Sequence, residues 1–279
     1  MLLLLLFAIS AKAKPVGLSA TPSSGWSEGK RNPYWQMAID HEGVILLFWV
    51  WRESPDIGSK HVLCYAKLSD RGMTWQRADE EKYAFPIRIF NAEFALNIHQ
   101  GSDLINQTSM LADVKGNVFI ASYWRDEQDK ILQYHLVDST NCRWKSTNLN
   151  FRKTAFSLTG SGTKRIPISR SQVIIWPNGK NYVSGLIFRD EERNGWLSIA
   201  RNADIEPEKC RIEDLTKGSV GDWEPTYYTE LRQNKSPLSL FLQDVKTDSW
   251  RGQSQTGPTA VAVLDWISKN KFINDQFRQ

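Results

Sequence analysis

Arginine recurs at one position of a repeated pattern in this chain. Arg52, Arg125 and Arg189 each close an apolar run, in Trp51-Arg52, Trp124-Arg125 and Phe188-Arg189. A guanidinium offers a planar fork of N–H donors that matches the oxygens of a carboxylate or sulfate. Three at related positions would suit an anionic ligand, unless each is neutralised by its neighbouring acid, Glu53, Asp126 or Asp190. The residues that open the repeated segments should gather with these arginines. They are Asn32, Tyr34, Ser169, Arg170 and Tyr227, with Gln243 standing where the fourth run ends. Among the histidines, His99 in the polar stretch Asn97-Ile-His-Gln-Gly-Ser-Asp103 is the best candidate for proton transfer. His61 opens a strand and ranks second. His41 falls in a turn and His135 in mid-strand, where solvated and structural roles are expected. There is no His-Glu-x-x-His, phosphate-binding loop, dinucleotide glycine pattern or Gly-x-Ser-x-Gly elbow. Cys64, Cys142 and Cys210 lack the spacing of a zinc site or a disulfide framework; one disulfide is open to them, and ordinary thiols fit better. No metal or cofactor is expected.

The elements that must position these residues form a repeat. Four segments share a polar or aromatic opening, a short apolar strand, a turn, a long apolar run and a polar end. They cover 32–54, 106–128, 169–192 and 223–246. Their turns are His41-Glu42-Gly43, Lys115-Gly116-Asn117, Asn178-Gly179-Lys180 and Asn234-Lys235. Gly and Asn accept the positive φ of tight hairpins. The run 44–51 is apolar on both alternating faces, as for a strand buried from both sides. Third strands are predicted over 61–68, 131–137 and 195–201. Closing strands should follow the turns at 69–75, 140–144 and 207–211. Four strands per unit, repeated radially, is the plan of a β-propeller. Apolar residues alternate or run on, without a helical period, so an all-β fold is expected.

Composition agrees. The chain has 279 residues, 12 of them Trp, enough for a large core of aromatic-rich strands. Its 35 basic and 31 acidic residues leave a net charge of +4, too small to imply nucleic acid. The apolar stretch at residues 2–9 is too short to span a bilayer, and Ala11-Lys-Ala13 is a small-residue cleavage pattern. Residues 1–24 therefore read as a signal peptide and leader, 25–279 as one domain, and the product as secreted or periplasmic.

Several longer motifs resemble a known family. Asp70-x-Gly-x-Thr-Trp75 is similar to the Asp-box of sialidase-like propellers, a structural hairpin. Arg31-Asn-Pro-Tyr-Trp-Gln36, Phe48-Trp-Val-Trp-Arg-Glu-Ser-Pro-Asp56 and His99-Gln-Gly-Ser-Asp-Leu-Ile-Asn-Gln-Thr-Ser-Met110 resemble BNR-repeat proteins that include ulvan lyase-type polysaccharide lyases. Phe156-Ser-Leu-Thr-Gly160, Ile166-Pro-Ile-Ser-Arg170 and Trp223-Glu-Pro-Thr-Tyr227 extend the likeness toward the C-terminus. The resemblance implies a secreted propeller, usually seven-bladed, so that four recognisable blades make an incomplete one. It implies β-elimination on a uronic-acid-containing, often sulfated, polysaccharide. By its place in the motif Tyr34 would be the catalytic tyrosine and Arg52 the arginine that binds the acidic group; with His99 they make the catalytic set expected here, and the repeat adds Asn32, Arg125, Arg170, Arg189 and Tyr227 as substrate contacts. The chain departs from the family in two places. The histidine segments that relatives carry ahead of Arg-Asn-Pro-Tyr-Trp-Gln have no counterpart, and Ile45-Leu-Leu-Phe-Trp49 replaces Ile-His-Leu-Ser-Trp. A truncated copy, a non-catalytic glycan-binding propeller and a sialidase-like glycosidase are therefore the alternatives.

Overall fold

The computed structural model describes residues 34–69, 74–105, 109–140, 142–160, 166–178, 181–202, 210–227, 237–245 and 259–267. They form four antiparallel sheets in succession along the chain, each a meander with strands paired in chain order, except that β5 of the first sheet pairs back with β3. The first sheet contains β1 (Tyr34–Ile39), β2 (Ile45–Arg52), β3 (Lys60–Leu68), β4 (Trp75–Gln76) and β5 (Glu93–Leu96). The second holds β6 (Ser109–Ala112), β7 (Val118–Trp124), β8 (Gln133–Thr140) and β9 (Arg143–Asn148). The third holds β10 (Gln172–Asn178), β11 (Asn181–Asp190), β12 (Trp196–Asn202) and β13 (Arg211–Asp214). The fourth has three strands among the described residues: β14 (Thr226–Tyr227), β15 (Leu238–Gln243) and β16 (Val261–Trp266). The repeat predicts this order, although β5 and β16 carry no signal in it. β5 arises because the outer strand of the first sheet is interrupted: β4 pairs with one end of β3 and β5 with its middle.

The hairpins explain the repeat's turns. In the first, Asp40 accepts the amides of Glu42 and Val44 at 2.9 Å each, and Gly43 sits at φ 83°. In the second, Asp113 accepts those of Lys115 and Asn117, and Gly116 sits at φ 78°. The shared signature is thus Asp-x-x-Gly, with the aspartate folding the chain and the glycine taking the left-handed position. Asp70–Met73 of the Asp-box, like Asn32 and residues 1–24, lies outside the described residues. Its Trp75 is buried.

Alternation along the middle strands builds the core between the sheets. Leu46, Phe48 and Val50 of β2 face Met110, Ile120, Trp124 and Val137 of the second sheet. Leu47, Trp49 and Trp51 point the other way, where Tyr83 and Ile87 from the segment between β4 and β5 cover them. The second and third sheets meet through Phe119, Tyr123 and Tyr134 against Val173, Leu186 and Phe188. The third and fourth meet through Trp176, Ile187 and Ile199 against Leu238, Leu240 and Trp266. The first strands of the sheets, β1, β6 and β10, run beside one another, so the sheets fan out from a common edge. Ser109 of β6 accepts the Val173 amide of β10, and Tyr227 of β14 donates to the Val173 carbonyl at 3.3 Å.

Packing between strands is tight at Gly185 in β11. A Cβ there would stand 2.6 Å from the Ala200 carbonyl oxygen and 3.1 Å from the Trp176 ring. Gly185→Ala is expected to destabilise the fold by about 1–3 kcal/mol, measured as a lowered urea midpoint. Gly218→Ala, where nothing lies within 4 Å, is the control and should leave that midpoint nearly unchanged.

Candidate functional site

Tyr34 opens β1, Arg52 ends β2 and Lys60 begins β3, so all three lie at one end of the first sheet. Register sets them together: Tyr34 pairs with Val50, and Arg52 pairs with Lys60. The second pairing depends on a β-bulge. Val50 pairs with Leu63 and Trp51 with His61, so Val62 is the extra residue. Its φ is 44°, an unusual value for a β-branched side chain, and its amide leaves the ladder to donate to Ile98 at 3.0 Å. Without that extra residue, regular pairing would put His61 opposite Arg52. The bulge gives the position to Lys60. His61 instead lies 2.8 Å from Glu53, the acid that sequence alone offers to Arg52.

Arg52 consequently has no carboxylate partner among the described residues. Its Nη1 donates to the Tyr34 hydroxyl oxygen at 2.7 Å, its Nε to the Ser54 carbonyl at 2.7 Å and its Nη2 to the Pro55 carbonyl at 2.8 Å. A guanidinium has five N–H donors, so one on each terminal nitrogen remains for a ligand. Because the phenol oxygen of Tyr34 accepts from Arg52, its own hydrogen is left to be donated elsewhere. The Tyr34 ring also meets the Lys60 ammonium, 5.1 Å from its centroid.

Lys60 carries no signal in sequence beyond its type, since a lysine at the start of a strand reads as solvated. In the fold it is 2% exposed. Burial, followed by the positive charges of Arg52 and Arg170, lowers its pKa to about 7. Arg170 comes from the segment before β10. Its backbone amide donates to Glu224 at 2.7 Å, and its Nη1 lies 3.6 Å from the same carboxylate. Burial raises the pKa of Glu224, against the opposing pull of Arg170. Openings of the third and fourth units are therefore joined through Arg170 and Glu224, and the charge of Arg170 acts on Lys60 at the end of the first sheet.

The remaining predicted positions are placed as follows. Arg125 is 3.0 Å from the fully buried Asp103, whose other oxygen accepts from Leu158 and Thr159 at 3.0 Å each. Arg189 is 2% exposed and donates to the carbonyls of Trp223, Pro167 and Ile166 at 3.3–3.4 Å. Tyr227 is half-buried on β14. His99 is exposed, with Nδ1 2.7 Å from the Gln100 carbonyl. Its loop packs on the turn after Arg52, where Gly101 donates to the Gly58 carbonyl at 2.7 Å. His135 is buried and stacked on Trp124 with ring centroids 3.6 Å apart, and burial lowers its pKa to about 4. Asp126 and Asp190 serve other partners than the repeated arginines: Asp126 accepts from Trp124 and Asn148, and Asp190 from Arg152 at 2.7 Å. The cysteines among the described residues are free thiols. Among the described residues no three His, Cys, Asp or Glu side chains are grouped to hold a metal ion, and no helix is long and apolar enough to cross a membrane.

The repeated sheets and their hairpins define a protein of the BNR kind, and comparison with known families bears this out. The sequence profile described as "BNR repeat-containing family member" matches residues 10–152, just over half of the chain, and the chain belongs to that family. No curated protein matches. Similar solved structures include the polysaccharide lyase Uly1, at 10% identity and TM-score 0.48, covering 84% of this chain and 45% of that one. An ulvan lyase bound to GlcA(1-4)Rha3S matches at 10% identity and TM-score 0.39, covering 67% and 52%. The GH93 α-L-arabinofuranosidase of Fusarium graminearum with arabinobiose matches at 13% identity and TM-score 0.40, covering 79% and 58%. The chain spans about half the length of the two lyases.

Lys60 has a measurable consequence for stability. Its pKa falls from 10.5 in the unfolded chain to about 7 in the fold, so between those values the unfolded chain binds more protons. Stability therefore rises with pH across that window and is lowest below it. The wild-type protein should gain about 2–3 kcal/mol relative to Lys60→Met between pH 6 and pH 9, read from urea unfolding at each pH.

Proposed function

We propose that this chain is a secreted, carbohydrate-active propeller whose described residues form four blades, and that it acts as a lyase on a uronic-acid-containing polysaccharide. The observation that carries this reading is the Tyr34–Arg52 pair: a guanidinium with no acid partner among the described residues, hydrogen-bonded to a phenol that accepts from it and keeps its own proton to donate. An anionic sugar supplies what that pair lacks. Arg52 holds the uronate carboxylate, and neutralising that charge makes the adjacent C5 proton more acidic. β-Elimination then breaks the C5–H and C4–O4 bonds and forms the C4–C5 double bond: the C5 proton passes to a base from solvent, Tyr34 gives its hydroxyl proton to the departing O4, and the phenolate left behind is reprotonated from solvent. Tyr34 is the proton-transfer group at the leaving oxygen.

A glycan-binding protein without catalysis is the second reading. It is favoured by the position of His99, which is exposed and makes no hydrogen bond to Tyr34 or Arg52. One assay separates the two. Incubated with ulvan and other uronate polymers, an active lyase generates the ultraviolet absorbance of an unsaturated uronate. Tyr34→Phe should lower that rate on the order of 10²–10⁴-fold. Unchanged turnover in the variant removes Tyr34 from the reaction. Retardation in a polymer-loaded gel with no absorbance change establishes the binding reading.

A further inference from the structure

Among the described residues, the other buried charged groups of the central region have partners. Arg152 and Asp190 form an ion pair at 2.7 Å, Asp103 holds Arg125, and Arg189 donates to three carbonyls. Lys60 differs: its ammonium has no hydrogen-bond acceptor among them, although the residue is 2% exposed. The Tyr34 ring from β1 lies 5.1 Å from it, Arg52 is its partner across the β2–β3 ladder, and the positive charge of Arg170, from the segment before β10, acts on it. Glu224 lies beyond Arg170, and the His61–Glu53 pair is displaced from Arg52 by the bulge. The Nε of Arg170 is buried without a partner, as is that of Arg125. A cationic side chain held at a buried position without an acceptor is costly unless one arrives.

We infer that Lys60, Arg52 and Arg170 form a receptor for one oxyanion, the carboxylate or sulfate group of an acidic sugar, and that Lys60 takes up a proton as the anion binds. This rests on the reading of the site as one for anionic glycans, and it names the group that is recognised. In the empty site, burial and two guanidinium charges favour the neutral amine. An anion supplies the opposite charge and reverses that preference. The proton comes from solvent, and no bond of the ligand is broken.

The experiment is calorimetric titration of the full chain with sodium glucuronate and, separately, sodium sulfate. It uses two phosphate-free buffers that differ in ionisation enthalpy. At about pH 8 the wild-type protein should take up close to one proton per anion, falling toward none at about pH 6. Lys60→Met should bind roughly ten- to a hundredfold more weakly and show no uptake. Lys60→Arg should restore binding without uptake, which separates the charge from the bulk of the side chain. Sulfate binding with uptake, in the absence of glucuronate binding or lyase product, leaves the receptor standing and overturns the uronate reading. Lyase turnover with no proton uptake and with unchanged affinity in Lys60→Met overturns the receptor and leaves that reading intact. Failure of the wild-type protein to bind either anion overturns the receptor.

Discussion

The second strands of the first two sheets, β2 and β7, are buried on both faces, and the stacking of sheets follows from that constraint. β2 is the clearest case: Leu46, Phe48 and Val50 pack toward the second sheet, while Leu47, Trp49 and Trp51 pack the opposite way. A single antiparallel sheet can leave one face to water. A strand apolar on both faces cannot, so it requires a neighbour on each side. Three of the resulting cores lie between successive sheets, and the fourth is closed by the segment between β4 and β5.

The same stacking makes a site possible. Because the sheets fan out from the common edge formed by β1, β6 and β10, their openings meet although they are far apart in sequence. Tyr34, Arg170 and Glu224 each precede or begin the first strand of their sheet. The packed interior holds their backbones, while their polar side chains stand at the strand ends. Positive charge then accumulates at the end of the first sheet. Arg52 and Lys60 face each other across a strand pair with no acid between them. Like charges placed so close disfavour the charged lysine, and this couples the protonation of Lys60 to whatever anion occupies the site.

The repeat is legible because its cause is local. Asp40 and Asp113 fold their hairpins by bonding amides two and four residues on, and the apolar runs between turns set strand length. Third and closing strands follow for the same reason. β5 is not legible, because it pairs with the middle of β3 across a long interruption and its residues show no strong alternation. The three repeated arginines occupy equivalent positions in sequence yet meet different partners. Arg125 encounters Asp103 from the preceding loop, Arg189 is enclosed by carbonyls of segments 166–167 and 223, and Arg52 meets no acid among the described residues. Those partners arrive from other units, and spacing within one unit carries no information about them.

The sequence by itself determined the class of fold, the boundaries of most strands, and Tyr34 and Arg52 as neighbours at one end of the first unit. These depend on alternation, turn residues and strand pairing over short distances. Tertiary structure decided the charge of the site. Lys60 and His61 are adjacent in sequence, and a one-residue difference in register selects which of them faces Arg52. The bulge at Val62, with its amide turned toward Ile98 in a later segment, makes that selection. A side chain that would be an ordinary solvated lysine on an open strand is thereby buried beside two guanidinium groups, and a histidine is sent to Glu53 instead.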